Sequence, residues 1–351
     1  MNDKPILVAG AGGFIGGHLV ADLLNKGARV RAVDIKPLDD WYQVFPDVEN
    51  VVADLGELPA CRSACEGVQE VYNLAADMGG MGFIENNKAL CMLSVLINTH
   101  LLMAAKDAGV ERFFFASSAC VYAADKQKSA DVVPLKEADA YPAMPEDGYG
   151  WEKLFSERMC RHFREDFGLI TRVARFHNVY GPEGTWDGGR EKAPAAVSRK
   201  IAAAKYHGDP NIEVWGDGLQ TRSFMYIDDC VAGIDKIMHS DIEEPINLGS
   251  DELITIDGLV DLVADLAGIE VQKEHLLDKP RGVNGRNSDN ALILERLGWA
   301  PMTSLRSGMA RTFDWVEAQY LAKVGAPAAA ASNAAASEPT SLDAAEAPAY
   351  A

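Results

Sequence analysis

Short apolar runs alternate with helical periods over the first half of the chain. The first three predict a strand over residues 5–10, a helix over 15–26 and a strand over 29–34. Further buried strands are predicted over residues 51–54, 71–75, 112–117 and 169–176. Because short buried strands separated by helices indicate a parallel sheet covered on both faces, we predict an α/β Rossmann fold with a doubly wound parallel sheet.

The alternation of apolar runs and helical periods becomes irregular near Val179. Gly, Pro and Trp are frequent over residues 180–189, and a helix over 193–205 and a strand over 212–215 follow. We therefore expect a nucleotide-binding domain over residues 1–178 and a smaller C-terminal lobe over 179–324. A strand predicted at 245–248 returns to the main sheet. Residues 325–351 contain mostly Ala, Pro, Ser and Glu, which predicts a disordered tail.

The charge balance narrows the choice of partners. The 351 residues include 33 Lys and Arg against 52 Asp and Glu, a formal charge of -19, so nucleic acid and anionic membranes are poor candidates. An anionic substrate would need a few well-placed cations. No C-x-x-C pair occurs among the six cysteines, so we expect reduced thiols, a cytoplasmic location and no metal site.

A glycine fingerprint follows the first predicted strand and begins the first helix. Gly10, Gly13 and Gly16 have the spacing of a dinucleotide-binding turn, and Phe14 and Ile15 lie in the first turn of that helix. Such a turn brings the backbone and the N–H groups of the helix close to a diphosphate. The alternative is a glycine-rich turn that binds no ligand.

Acidic residues end the next two predicted strands. Asp34 follows Gly16 by 18 residues, where a carboxylate accepts hydrogen bonds from ribose hydroxyls and repels a 2′-phosphate. The cofactor predicted is therefore NAD rather than NADP. Asp54 is a second candidate for a contact with the adenosine, and the alternative for it is a solvated side chain at a strand end.

A Tyr-Lys pair supplies the candidate redox chemistry. Tyr149 and Lys153 are four residues apart, so they share one face of a helix. The phenol can remove a hydroxyl proton while hydride leaves the same carbon, and a lysine cation helps because an ordinary tyrosine titrates near 10. The glycine fingerprint and the hydroxyl groups of Ser117 and Ser118 at a strand end support a catalytic role for this pair.

These features together resemble the extended short-chain dehydrogenase/reductase family, most of whose members modify nucleotide sugars. More specific segments, at 75–83, 117–122, 188–194, 215–224 and 285–289, resemble the members of this family that epimerise GDP-hexoses. The resemblance covers roughly residues 5–320. It implies an isomerase that uses NAD, takes GDP-mannose, releases GDP-hexose products and forms a homodimer.

The resemblance also implies the order of the chemistry. Oxidation at C4 of the hexose makes the protons at C3 and C5 acidic, so that each centre can pass through an enolate and be inverted before C4 is reduced again. This requires an acid and a base on opposite faces of the ring, besides Tyr149. Cys120 and Lys192 are the candidates, with a buried structural cysteine and a surface lysine as the alternatives.

The remaining candidates match family positions that hold the GDP-sugar. The full set of predicted substrate contacts is Gly79, Ser118, Ala119, Cys120, Asn178, Glu191, Lys192, Ala193, Lys200, Gln220, Thr221, Arg222 and Arg286. Rival functions are another nucleotide-sugar 4-epimerase, dehydratase or decarboxylase of the same fold, and a non-catalytic NAD sensor.

Overall fold

Seven parallel strands form the central sheet of the computed structural model, which describes residues 4–279 and 282–325. Their order is β11–β6–β5–β4–β1–β2–β3. These strands span β1 Ile6–Ala9, β2 Val30–Asp34, β3 Glu49–Val52, β4 Glu70–Asn73, β5 Arg112–Ser118, β6 Ile170–Phe176 and β11 Ile246–Leu248. The sheet confirms the predicted doubly wound fold, and the pairing of β11 with β6 confirms the predicted return strand. Of the predicted tail, residues 326–351 lie outside the described residues.

Alternation along each strand divides the core into two layers. Val8 and Phe114 point to one face of the sheet, whereas Leu7, Phe113 and their neighbours on the same strands point to the other. All of these side chains are buried. Both faces therefore need helices to exclude water, as the near-continuous apolar character of the strands predicts.

Ten helices cover these layers within the described residues. They span α1 Phe14–Asn25, α2 Leu58–Cys65, α3 Met81–Asn86, α4 Lys88–Ala108, α5 Tyr149–Phe167, α6 Ala193–His207, α7 Ile227–Met238, α8 Ile256–Ala267, α9 Ala291–Leu297 and α10 Leu305–Val324. Helices α2, α4 and α5 pack on one face of the sheet, and α1 and α7 pack on the other. Among the described helices, α4 alone has the length and composition to cross a membrane, a property that it shares with the core helices of many water-soluble proteins.

The other described strands are short and lie outside the central sheet. They span β7 Val179–Tyr180, β8 Asn211–Trp215, β9 Thr221–Ser223, β10 Met225–Tyr226, β12 Leu253–Thr255, β13 Gln272–Leu276 and β14 Gly285–Arg286. Strands β12, β9 and β14 form one small sheet, and β13 pairs with β8. The predicted helix over 193–205 and strand over 212–215 are confirmed as α6 and β8. The division of the chain at residue 178 stays a prediction.

Candidate active site

The glycine fingerprint forms a tight turn at the carboxyl end of β1. Gly10 has a φ of +83°, and a Cβ there would lie 2.8 Å from the backbone nitrogen of Ala75 on the neighbouring chain segment. A Cβ at Gly16 would lie 2.1 Å from the carbonyl oxygen of Gly10. The N-cap of α1 is Gly13, and no side chain caps the helix there. This cradle and the uncapped amides of Phe14 and Ile15 fit a dinucleotide diphosphate.

The two predicted adenosine contacts differ in their surroundings. Asp34 is buried at the end of β2, where its carboxylate oxygens accept hydrogen bonds from the backbone N–H groups of Gly12 and Lys36, each at 3.0 Å. The carboxylate is thereby held beside the glycine turn, where it fits a ribose. Asp54 is exposed, and its Oδ1 accepts a hydrogen bond from the Gly56 N–H at 2.8 Å. Its contact with the cofactor stays a prediction.

Tyr149, Lys153 and Ser118 converge where β5 ends and α5 begins. Tyr149 is the first residue of α5, and Lys153 lies one turn later with its Nζ 5.4 Å from the centre of the tyrosine ring. Ser118 ends β5 and hydrogen-bonds to Tyr149. Ser117 points away from them, because its hydroxyl donates to Glu157 Oε1 at 2.6 Å. The structure thus brings together the three residues that the sequence assigned to hydride transfer.

The tyrosine is far from ionised in the surroundings that the protein alone provides. Burial raises the pKa of Tyr149 well above its ordinary value of 10.0, Cys120 and Glu152 add to the effect, and the hydrogen bond with Ser118 opposes it. A base at neutral pH therefore needs further positive charge beside the phenol. Lys153 is buried nearby and is the group on this helix that can supply it.

Cys120 lies in a short 3-10 turn, Ala119–Val121, that directly follows β5. Its backbone N–H donates to Ser118 Oγ at 3.2 Å, which fixes the turn. Its thiol is buried in a cluster that also contains Tyr149 and Cys91. The thiol and the phenol are therefore components of one site, as the proposed chemistry requires.

Lys192 lies close enough to Cys120 for an electrostatic interaction. It is the N-cap of α6 and is partly buried. Burial lowers the pKa of its ammonium below the ordinary 10.5, whereas the electrostatic influence of Cys120 and Cys230 raises it. Lys192 is thus within electrostatic range of the thiol, and its depressed pKa favours proton exchange near neutrality.

Three predicted substrate contacts are consecutive around β9. Arg222 donates to the carbonyl oxygens of Thr221 and Val283 at 2.7 and 2.6 Å, and burial lowers its pKa to about 10. Cys120 also acts on this arginine electrostatically, in the opposite direction. Thr221 Oγ1 donates to the carbonyl oxygen of Ala130, and Gln220 Nε2 donates to that of Trp215 at 2.8 Å. The buried Oε1 of Gln220 has no hydrogen-bond partner among the described residues.

Other predicted substrate contacts make local hydrogen bonds within the protein. Asn178 Nδ2 donates to the Ser223 carbonyl oxygen at 3.0 Å, and Glu191 accepts from the Gly189 N–H at 2.7 Å. Lys200 donates to the Glu213 carbonyl oxygen at 2.7 Å, and burial lowers its pKa. Gly79 lies just before α3. Ala119 is the first residue of the 3-10 turn, and Ala193 is the first residue of α6. Their roles toward a substrate stay predictions.

Arg286, one of the predicted substrate contacts, lies against Cys120. Its Nη1 donates to the Cys120 Sγ at 3.7 Å, its Nε donates to Gln127 Oε1 at 2.7 Å, and its Nη2 pairs with Glu146. The side chain is buried. Its contact with the substrate stays a prediction, but the structure gives this cation an immediate neighbour in the candidate acid/base thiol.

The sequence analysis missed Gln127, Glu146 and Gly150. A Cβ at Gly150 would lie 2.3 Å from the carbonyl oxygen of Cys120, so the close approach of α5 to the 3-10 turn requires this glycine. A glycine directly after Tyr149, inside a predicted helix, could have indicated this close approach. Gln127 and Glu146 lie in segments without periodicity, and nothing in the sequence connects them to Arg286.

Known proteins resemble this chain over most of its length. The sequence profile described as the NAD dependent epimerase/dehydratase family matches residues 6–249. Proteins named GDP-mannose 3,5-epimerase 1 from Oryza sativa subsp. japonica and GDP-mannose 3,5-epimerase from Arabidopsis thaliana are each 46% identical, over 90% of this chain and 82% of theirs. A crystal structure of a UDP-glucuronic acid 4-epimerase from Bacillus cereus with NAD has a TM-score of 0.77 and 25% identity, over 90% of this chain and 100% of that one.

Proposed function

The chain belongs to the NAD dependent epimerase/dehydratase family, and from that premise we propose that it epimerises GDP-mannose at C3 and C5 of the hexose. The products would be GDP-L-galactose and, where only C5 is inverted, GDP-L-gulose. The names of the plant relatives support the substrate. The observation that carries the proposal is the presence of Cys120 and Lys192, two further acid/base groups, beside the Tyr149 site.

Tyr149 and Lys153 serve the oxidation and reduction at C4. The glycine turn and Asp34 would hold NAD, which would supply reversible hydride transfer at C4. Tyr149 removes the proton of the C4 hydroxyl and gives it back at the end, while Ser118 hydrogen-bonds to the phenol. Lys153⁺, close to the ring of Tyr149, stabilises the phenolate.

Cys120 and Lys192 serve the carbons on either side of the ketone. One of them removes the proton from C3 or C5, and the other adds a proton to the opposite ring face. They belong to different elements, the 3-10 turn after β5 and the start of α6. We expect the sugar ring to lie between them. A reaction confined to C4 needs neither group, which disfavours a simple 4-epimerase.

Incubation with GDP-mannose in deuterated water tests the proposal. We expect inversion at C3 and C5 with deuterium at those carbons, and no deuterium at C4, because the hydride stays within the site. Inversion at C4 without solvent exchange would identify a 4-epimerase instead. If the protein binds NAD but converts no GDP- or UDP-hexose, the alternative of a non-catalytic NAD sensor would be supported.

We propose a homodimer built on α4 and α5. Apolar side chains of both helices are exposed, among them Leu93 at 57% and Phe155 at 52%, and a second copy would bury them. Glutamate at position 93 or 155 should give a monomer in analytical ultracentrifugation. Met302, which is 84% exposed elsewhere, offers the matched control, because Met302→Glu should leave the dimer intact.

We also propose a cytoplasmic location without nucleic-acid or membrane partners. All six cysteines are buried and unpaired, which fits a reducing compartment. The formal charge of -19 disfavours polyanions and anionic lipids. Cell fractionation, and gel-shift and vesicle-flotation assays with the purified protein, test these points, and retention on anionic vesicles would contradict them.

A further inference from the structure

The guanidinium of Arg286 uses all of its nitrogens inside the protein. Nη1 donates to the Cys120 Sγ at 3.7 Å, Nε donates to Gln127 Oε1 at 2.7 Å, and Nη2 forms an ion pair with Glu146. The planar group is therefore held in one orientation, with one N–H directed at the thiol. A fixed cation at a sulfur favours the thiolate over the thiol.

Glu146 is connected to Cys120 directly through the backbone and indirectly through Arg286. Its backbone N–H donates to the Cys120 carbonyl oxygen at 3.0 Å, and its carboxylate binds the arginine that contacts the thiol. The side chains of Glu146 and Arg286 are only 12% and 7% exposed. The second carboxylate oxygen, Oε2, is buried without a hydrogen-bond partner among the described residues. This ion pair is therefore poorly screened by water, and its charges act strongly on their neighbours.

The two charges act on the thiol in opposite directions. Arg286 places a positive charge 3.7 Å from the Cys120 sulfur, and the Glu146 carboxylate behind it carries the opposite charge. We propose that Glu146 is a positioning residue that holds Arg286 against Cys120 and sets the pH range in which Cys120 exchanges protons. The proposal rests on the proposed function in one respect, because it is there that Cys120 acts at C3 and C5.

Other ionisable groups also face Cys120, and they are the same in every variant compared below. They are Tyr149 from α5, Cys91 from α4, Lys192 at the start of α6 and Arg222 from β9. Because these groups remain, a change in the titration of Cys120 after substitution of Glu146 reports on the ion pair.

Alkylation of the ligand-free protein measures this titration without any turnover. Iodoacetamide reacts with the thiolate and releases iodide, and peptide mass spectrometry resolves Cys120 from the other five cysteines. Glu146→Gln keeps an oxygen for Nη2 but removes the charge, so the midpoint of the pH–rate curve should fall by about one unit. Near pH 7 the rate should rise about threefold, since more thiolate is partly offset by its lower nucleophilicity.

Arg286→Gln should move the same midpoint upward, because it removes the cation. The control is Glu274→Gln, which removes an exposed carboxylate on β13 and should leave the curve unchanged. Opposite shifts in the two test variants are the signature of the proposal. An unchanged midpoint in Glu146→Gln, or a shift in the same direction in both variants, would overturn it.

Turnover in deuterated water separates this inference from the proposed function. Glu146→Gln should shift the pH profile of exchange at C3 and C5 to lower pH and leave hydride transfer at C4 within about twofold of wild type. If wild type shows no exchange from GDP-mannose, the proposed function fails while the alkylation curves still decide the role of Glu146. If wild type exchanges the protons at C3 and C5 but wild type and Glu146→Gln have identical alkylation curves, the role of Glu146 is refuted and the proposed function stands.

Discussion

Gly150 and Cys120 approach so closely that a methyl group on the glycine would lie 2.3 Å from the cysteine carbonyl oxygen. The first turn of α5 and the 3-10 turn after β5 therefore share one fixed geometry. This contact links the redox residue Tyr149 to the candidate acid/base residue Cys120.

Gly150→Ala should separate these two turns. Overpacking against backbone costs about 1–3 kcal/mol, so we expect a lower melting temperature and at least a tenfold loss of both hydride transfer and epimerisation. Calorimetry and single-turnover absorbance measure the two effects. Gly168→Ala, at the other end of α5, is the control: it meets no atom within 4 Å but has a φ of +74°, so it should cost stability and spare the chemistry.

The sequence predicted the central sheet because buried parallel strands carry an apolar signal that needs no tertiary information. It also predicted the residues at the ends of β1, β2 and β5, since parallel strands direct their carboxyl ends to one edge. The contact of Cys120 with Arg286, and of Arg286 with Glu146, could not be predicted from the sequence. Glu146 and Arg286 are 140 residues apart, and they meet only because the two-residue strand β14 pairs with β9, a pairing with no periodic signature.

Replacement of Asp34 should weaken the preference for NAD over NADP. The carboxylate is buried at the end of β2, so a 2′-phosphate placed there would be strongly repelled. Asp34→Asn should reduce the ratio of NADP to NAD dissociation constants at least about tenfold, or about 1.4 kcal/mol. Titration of the two cofactors by calorimetry measures it. Asp54→Asn, at the exposed end of the next strand, is the comparison, and tighter NADP binding by wild type would contradict the assignment.

Tyr149→Phe should abolish C4 oxidation and every epimer, because the later steps all need the ketone. The raised pKa of Tyr149 implies that activity increases with pH and that a bound cationic cofactor lowers the pH at which it does so. Tyr122→Phe is the matched control, since Tyr122 is also buried but its hydroxyl donates to Asn247 Oδ1 at 2.5 Å rather than to a residue of the site. It should lose stability and keep most of its turnover, and product from Tyr149→Phe at wild-type rates would refute the role.

His239, next to the C-terminus of α7, should make stability depend on pH. Hydrogen bonds with Asp235 and Glu70 raise the pKa of His239 from 6.5 to about 10, and the same contact lowers the pKa of Asp235 from 3.8 to about 2. The histidine contribution is complete below pH 6.5 and lost toward pH 10, whereas that of the aspartate is complete above pH 3.8 and lost toward pH 2.

His239→Gln should therefore lower the melting temperature at pH 6 and have little effect at pH 10. The histidine side chain is half exposed, so the loss should stay below about 1 kcal/mol. Thermal unfolding at the two pH values measures the difference. His162→Gln, which removes an exposed histidine paired with Glu165 on α5, is the comparison, and an equal loss at both pH values would rule out the ion pair as the cause.

Cys120→Ala and Lys192→Ala should separate oxidation from epimerisation. Both residues lie beside the Tyr149 site, but C4 oxidation uses Tyr149, Lys153, Ser118 and the cofactor. Each variant should therefore bind GDP-mannose and transfer hydride at C4, yet lose deuterium exchange at one or both neighbouring carbons. Cys120→Ser should restore little of the deuterium exchange, because a hydroxyl is far less acidic than a thiol.

Two signals recorded together decide this prediction. Absorbance of the reduced cofactor in a single turnover follows C4, and NMR or mass spectrometry of the recovered sugar nucleotide follows C3 and C5. Because an enolate at either carbon requires the ketone, a variant that shows the absorbance change without exchange has lost only the acid/base step. Cys230→Ala, at a buried cysteine that also influences Lys192, is the matched control and should keep both signals. Wild-type exchange in both Cys120→Ala and Lys192→Ala would assign the proton transfers to other residues.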